Sequence, residues 1–364
     1  MIPLTLPSVS EAELPFVTRL RLSSGENLTP NDSCYLGEDS AGATFSGAHG
    51  LFAIDGASAE ALDGDVMLVS PGQGRAERLL RSARGSNPTN TLLVTERCDQ
   101  LCVMCSQPPK KTHDDRFDLL EQAALLAEPG SLIGITGGEP TLYKDQLLAM
   151  MESVLKQRED IQFHVLTNAQ HFIANDVERL AGPAYNRVTW GVPIYARDPK
   201  LHDRIVGKEG AFYRLEEGLA VLLDAGCRVE LRTVLLSTNA AALPALATYV
   251  TTHLRFIEVW SIMQLEHIGF ARRRWPELYY RHDHDFATVA AVLDRAHLHG
   301  VHAQLFNFPR CTVPAAYRHL AQASISDWKR KFMPECAGCG EQEHCSGFFE
   351  WHPDDEASAM VGPI

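Results

Sequence analysis

The sequence predicts an α/β chain: a partial (β/α)6 barrel, preceded by a β-rich segment and followed by a cysteine-rich extension. Three observations predict it. From Asn90 onward, short apolar runs alternate with helical stretches, the pattern of βα units around a parallel sheet. Six such units without a dinucleotide-binding signature favour a barrel, whose chemistry sits at the C-terminal ends of the strands. Before about residue 88 the texture differs, and six of the nine cysteines fall in two short windows.

Residues 1–88 form the expected N-terminal β-rich domain. Leu51-Phe52-Ala53-Ile54 and Val66-Met67-Leu68-Val69 are apolar runs punctuated by the turn signals Asp55-Gly56, Asp63-Gly64 and Pro71-Gly72. Cys34 carries no chemistry here. Residues 89–300 form the expected barrel, with strands over 91–95, 131–136, 163–167, 187–195, 228–236 and 256–263. Helices are expected over 117–127, 144–157, 212–225, 240–252 and 287–299. A further short strand spans 302–306. Residues 301–364 form the cysteine-bearing extension, irregular, with its last ten residues as a tail.

The bulk numbers exclude several classes. The chain has 364 residues, 45% hydrophobic and 22% charged, an ordinary globular composition. No apolar run reaches the roughly 18 residues of a membrane span. Met1-Ile2-Pro3-Leu4 is not followed by a basic patch and an apolar segment, so a reducing, cytoplasmic setting is the expectation. The net charge of −13 lowers the expectation of a nucleic-acid substrate, whose binders usually carry a basic surplus, without excluding a local basic groove. An odd, clustered set of cysteines in such a chain reads as metal ligation rather than disulfides.

Cys98-Asp-Gln-Leu-Cys102-Val-Met-Cys105 directly follows the first barrel strand. Thiolates are the usual ligands of iron–sulfur clusters, and here no fourth cysteine lies near. Three thiolates leave one iron of a cubane open to bind a substrate. The alternative is a structural zinc site with His113 as a fourth ligand. Gly137-Gly138-Glu139-Pro140 follows the second strand, where glycines let backbone approach a ligand and a carboxylate suits an ammonium.

The C-x3-C-x2-C spacing together with Gly-Gly-Glu-Pro at the next strand end resembles the radical S-adenosylmethionine (SAM) superfamily. The resemblance implies a 4Fe-4S cluster on Cys98, Cys102 and Cys105, with SAM bound against Gly137, Gly138, Glu139 and Pro140. It further implies SAM contacts from Met104, from Thr167 and Asn168 at the third strand end, from Arg232 on the fifth, and from Gln264 at the sixth. Arg232 reads equally as a surface arginine beside a strand. Pro199-Lys-Leu-His202-Asp203, with Gly207 and Gly210-Ala-Phe212, resembles a segment of peptide-modifying members. Three positions depart from the pattern: Met104 where many relatives have an aromatic residue, Ala169 where they have glycine, and Pro193 where a ribose-binding serine is common. The implied mechanism is one-electron reduction by a flavodoxin- or ferredoxin-type reductant, cleavage of SAM to a 5′-deoxyadenosyl radical, and hydrogen abstraction from an unactivated C–H. No catalytic acid or base stands out among 15 His and nine Tyr.

Cys336-Ala-Gly-Cys339-Gly-Glu-Gln-Glu-His-Cys345, with Cys311 upstream, supplies a second set of four thiols. It resembles a shortened SPASM or twitch segment, which implies one auxiliary 4Fe-4S cluster; Phe349 stands where a longer segment would carry a further cysteine. A four-cysteine zinc knuckle has the same ligands. Cys227 precedes the fifth strand and reads as structural. Leu92 to Lys110, with Cys105-Ser-Gln-Pro-Pro at its core, resembles the C-type member of the paired radical SAM maturases of His-Xaa-Ser peptide systems. That implies a ribosomally made precursor peptide as substrate, a crosslink or other side-chain change as product, and a paired radical SAM maturase as partner. The alternatives are a radical SAM enzyme acting on a nucleotide or RNA, a two-cluster electron carrier and a zinc-stabilised scaffold.

Overall fold

A computed structural model describes residues 4–23, 28–40, 42–83 and 90–364. The boundary expected at 88–89 and the N-terminal residues Met1 to Pro3 lie outside the described residues. The chain divides into two units. The first comprises Met1–Val94, Asp114–Thr136 and Tyr143–His164; the second comprises Thr95–His113, Gly137–Leu142 and Val165–Ile364.

In the first unit, β1 (Thr5–Ser10), β2 (Phe16–Arg21), β3 (Asp32–Asp39), β4 (Gly42–Gly47) and β5 (Gly50–Ile54) precede a short helix α1 (Ala59–Leu62), then β6 (Val66–Val69) and β7 (Gly72–Leu80). These strands close into a barrel in the order β1-β5-β4-β3-β2-β6-β7, and closure removes the sheet edges. Pairing is antiparallel except between β2 and β3. Along β1 exposed and buried residues alternate, as the two-residue period of a strand requires. Leu6, Phe16, Leu20, Phe45, Phe52, Ile54, Leu62 and Met67 fill the interior. The apolar runs at 51–54 and 66–69 are β5 and β6.

One charged group of this barrel sets a pH response. The Asp32 side chain is fully buried and takes Arg19 at 2.6 Å and Arg21 at 3.2 Å. Burial pushes its carboxyl up, but bonds from Arg19 and Thr29 outweigh burial and hold it down to about 2. The folded value lies below the ordinary aspartate value of about 3.9, so the contribution is complete above that pH and fades as pH falls through the folded value. Asp32→Asn is expected to cost about 2 kcal/mol at neutral pH. Urea unfolding and hydrogen exchange of the barrel amides should show the gap from wild type closing as pH falls toward the folded value; a constant gap contradicts the assignment.

The first unit also carries most of β8 (Thr91–Thr95), α2 (Phe117–Leu125), β9 (Leu132–Gly137), α3 (Lys144–Gln157) and β10 (Gln162–Leu166), with β8, β9 and β10 neighbours in that order. Helix α3 buries Leu147, Leu148, Met151, Val154 and Leu155, a stripe at the helical period.

The second unit continues with α4 (Val177–Leu180), β11 (Val188–Pro193), α5 (Pro199–Val206), α6 (Ala211–Asp224), β12 (Arg228–Val234), α7 (Leu243–His253) and β13 (Val259–Met263). After these come α8 (Gly269–Arg273), α9 (Trp275–Leu278), α10 (Ala287–Leu298), β14 (Ala303–Phe306), β15 (Arg330–Lys331), β16 (Phe348–Phe349) and α11 (Asp354–Met360). Strands β11 to β14 are parallel neighbours in chain order. They read as near-continuous apolar runs because both faces are covered; Trp190 and Trp260 are fully buried there.

The strands expected over 228–236 and 256–263 are shorter, as β12 and β13, and three further elements differ from expectation. The strand expected over 187–195 ends at Pro193, and the Tyr195 amide turns to His202 Nδ1 at 3.4 Å. The short strand expected at 302–306 is a seventh strand of the sheet, β14, paired parallel with β13. The expected tail contains helix α11, which seats Ala357 and Met360 against Met333 and Phe348. Its first turn carries Asp354, Asp355 and Glu356, charges that favour a helix N-terminus. No helix among the described residues is long and apolar enough to cross a membrane.

Candidate functional site

Every residue named for the SAM site falls in the second unit. Cys98, Cys102 and Cys105 are free, half-buried thiols on the loop after Thr95. The loop is held by backbone on two sides. Leu101 N and Val103 N donate to Val206 O and Ile205 O at the end of α5, at 3.0 and 2.8 Å. Phe270 N of α8 donates to Cys105 O at 2.9 Å. Burial pushes the Cys98 thiol up to about 12, and the charges of Glu139, Asp99 and Cys105 act the same way. Burial, then Cys105 and Cys98, do the same to Cys102, also to about 12; burial raises Cys105. Three thiols that oppose one another's ionisation need a cation to become thiolates, and iron supplies one. The donor set therefore fits a cluster.

The Gly137–Pro140 turn is bound to this loop. Gly138 N donates to Thr95 O, and Glu139 N to Arg97 O, both at 2.8 Å. A Cβ on Gly138 would fall 2.1 Å from Arg97 O and 2.9 Å from the Cys98 Cβ. The sequence reading explained these glycines by approach to a ligand; here the cysteine loop itself occupies the space.

Glu139 is fully buried, and its carboxylate is already engaged. Oε1 accepts from Thr141 N at 2.9 Å, Thr141 Oγ1 at 2.5 Å and Thr167 Oγ1 at 2.6 Å, and Oε2 accepts from Asn168 N at 2.6 Å. Three of the donors fall on Oε1 and one on Oε2, so Oε2 keeps an acceptor site. Burial raises its pKa despite these donors. Thr167 and Asn168 thus meet Glu139 directly. Ala169 adopts the left-handed backbone, φ 59°, that a glycine would take at this position.

The remaining residues lie at the ends of β11 to β13. Met104 is buried among Tyr195, Ile205, Val206 and Leu265. Pro193 pairs with Arg232 across β11 and β12. Arg232 is not a surface arginine: its side chain is 19% exposed and its Nη1 reaches both Glu230 oxygens, at 3.0 and 2.9 Å. Gln264 Nε2 donates to His282 Nδ1 at 3.0 Å and to Tyr280 O at 3.2 Å. Its buried Oε1 has no partner among the described residues, which leaves a carbonyl for an N–H donor. His282 is fully buried, and burial pushes its pKa down to about 4. The neutral ring therefore bridges Gln264 and Thr312 Oγ1, the latter at 2.7 Å.

Thr312 adjoins the second set of cysteines. Cys311, Cys336, Cys339 and Cys345 line one small pocket, partly open to solvent, with Arg310 and Phe348. Cys345 Sγ accepts from Arg310 N at 3.3 Å and Gly347 N at 3.4 Å. Burial raises Cys311 and Cys336, and the neighbouring Cys345 charge adds to both. Among the described residues, no group of three or more His, Cys, Asp or Glu is drawn together closely enough to hold a metal ion. Cys227 is buried against Leu180 O, apart from both sets.

Residues 92–246 match the radical SAM superfamily model. The chain carries a radical SAM domain. The matched residues take in most of β8 and all of β9 to β12. The second cysteine set lies beyond the matched residues. Among solved structures, the chain resembles SuiB of Streptococcus suis bound to S-adenosylmethionine, with 18% identity and a TM-score of 0.46, over 59% of this chain and 49% of that one. The same protein bound to its precursor peptide SuiA gives 18% and 0.47. A radical SAM methyltransferase from Sphaerobacter thermophilus gives 15% identity and 0.45, over 80% of this chain and 81% of that one. The chain thus spans about half the length of the S. suis protein. No curated protein matches it.

The sequence reading missed Asp99, His171 and Lys208, which meet beside Cys98. A carboxylate inside the cysteine loop and a lysine beside Gly207 were the available signals, with nothing in the order of residues to join them.

Proposed function

We propose that this chain is a radical SAM enzyme that modifies a ribosomally made precursor peptide bearing His-Xaa-Ser repeats. The observation that carries the first half is the gathering of Cys98, Cys102 and Cys105 on one loop hydrogen-bonded to the Gly137–Pro140 turn. The peptide half rests on the stretch from Leu92 to Lys110 and its Cys105-Ser-Gln-Pro-Pro core.

In this reading residues 89–300 hold SAM, 301–364 hold one auxiliary 4Fe-4S cluster, and 1–88 have no assigned chemistry. A bound cluster and SAM supply the 5′-deoxyadenosyl radical chemistry; the protein supplies position and exclusion of water. Cys98, Cys102 and Cys105 ligate the first cluster. Gly137, Gly138 and Pro140 shape the backbone beside it, and Glu139, Thr167 and Asn168 lock that turn. Met104 gives an apolar wall, Arg232 a cation for a carboxylate, and Gln264 Oε1 an acceptor for an amino group. Cys311, Cys336, Cys339 and Cys345 ligate the auxiliary cluster. The reductant is of flavodoxin or ferredoxin type, and a paired maturase acts on the same peptide.

The test is anaerobic reconstitution with iron and sulfide, reduction with dithionite, and assay for 5′-deoxyadenosine from SAM. Formation of that product with iron bound at both cysteine sets is the expected result. Zinc without iron at the first loop, or no product, rejects the enzyme reading. Product formation with no mass change on a His-Xaa-Ser-repeat peptide, tested beside its paired maturase, rejects the substrate alone.

A further inference from the structure

Asp99 is the one carboxylate within Cys98-Asp-Gln-Leu-Cys102-Val-Met-Cys105. Its side chain accepts from Asn168 Nδ2 at 2.9 Å and pairs with the Lys208 ammonium, and His171 Nε2 lies 3.3 Å away. Lys208 is 17% exposed and Asp99 23%, so the pair is shielded from water on most sides.

Lys208 is delivered to this spot by a fixed turn. Helix α5 ends at Gly207 in the left-handed conformation, φ 67°. A Cβ there would fall 2.5 Å from Leu101 O of the cysteine loop. Asp203 of α5 accepts from Gly210 N at 2.7 Å and Phe212 N at 2.9 Å, which fastens the turn to the start of α6. The end of α5 thus grips the loop by two backbone bonds and one ion pair.

We propose that Lys208, seconded by His171, is a positioning residue for the first cluster: it neutralises Asp99, fixes the loop between Cys98 and Cys102, and sets how readily the bound cluster accepts an electron. The inference rests on the reading that Cys98, Cys102 and Cys105 hold that cluster. A nearby cation favours the more negative, reduced form of a cluster, and a nearby unpaired carboxylate disfavours it. A brace without electrostatic work would alter folding and leave the potential alone.

The experiment compares wild type with Lys208→Met, Lys208→Arg, Asp99→Asn and the Asp99→Asn/Lys208→Met double variant, each in the full chain and reconstituted anaerobically. Iron and sulfide are counted, and the midpoint potential is read from the EPR signal that SAM perturbs. Lys208→Met is expected to move the potential negative, and Asp99→Asn to move it positive. Lys208→Arg restores the wild-type value, and the double variant returns close to it. With a weak reductant, kcat for 5′-deoxyadenosine should fall about tenfold in Lys208→Met while KM for SAM stays within about twofold. Shifts of the same sign in Lys208→Met and Asp99→Asn, or none in iron-replete protein, overturn the proposal. Should one of these two variants fail to fold, the other's sign together with Lys208→Arg still decides. Equal iron in wild type and a Cys98→Ala/Cys102→Ala/Cys105→Ala variant would overturn the underlying reading instead.

Discussion

Cys98→Ala should reduce 5′-deoxyadenosine formation from SAM by at least about a hundredfold, because loss of even a partner that only supports a metal ligand costs about 10–100-fold. Two thiols cannot retain a cubane that three hold with one iron open. The loop gives no substitute donor: Asp99 is committed to Lys208, His171 and Asn168, and Cys105 Sγ faces Gln107 O at 3.0 Å. Iron should fall by about four per chain, the content of one such cluster. Cys34→Ala, on β3 of the N-terminal barrel, should change neither quantity. Wild-type product and iron in the Cys98 variant would remove this loop from the chemistry.

Gly138→Ala is expected to be nearly as damaging without touching a ligand. The added methyl would meet Arg97 O at 2.1 Å and Arg97 C at 2.4 Å, both backbone atoms, and the Cys98 Cβ at 2.9 Å. No side-chain rotation relieves a backbone clash. Either the Gly137–Pro140 turn or the cysteine loop must move, breaking the bonds from Gly138 N to Thr95 O and Glu139 N to Arg97 O. Overpacking of this kind costs about 3 kcal/mol. Thermal unfolding should report that loss, and iron retention should fall with it. A variant with wild-type stability and full iron content would show that the turn and the loop are not in register.

Much of the architecture was legible in the order of residues. The helix expected over 144–157 is α3 to the residue, because its buried leucines, methionines and valine recur at the helical period. The strand at 91–95 is β8, bounded as expected. The failures have local causes. The run from Val188 continues apolar through Ile194 and Tyr195, but pairing stops at Pro193 and Tyr195 turns toward His202. The last residues read as a tail because only Ala357 and Met360 mark the buried side of α11, too few for a periodicity.

The site divides the same way. Cysteine spacing announced two thiol sets, since a cluster needs several sulfurs within one short loop or pair of loops. Arg232 stood undecided in sequence between a surface position and a ligand position; its contact with Glu230 places it inside. Glu139 was expected to face a ligand ammonium; the fold adds that its carboxylate also accepts from Thr141, Thr167 and the Asn168 amide, three contacts that spacing along the chain does not announce.

By itself the sequence determined the α/β alternation, the β-rich N-terminal segment and the grouping of seven cysteines into two sets. Each is a property of neighbours along the chain: hydrophobic period, turn residues, ligand spacing. Only the tertiary structure decided that Asp99 meets Asn168 and Lys208, 69 and 109 residues away, and that Cys311 shares a cavity with Cys345. Such contacts depend on which strand ends and helix ends the fold brings together, and one-dimensional spacing carries no record of that distance in space.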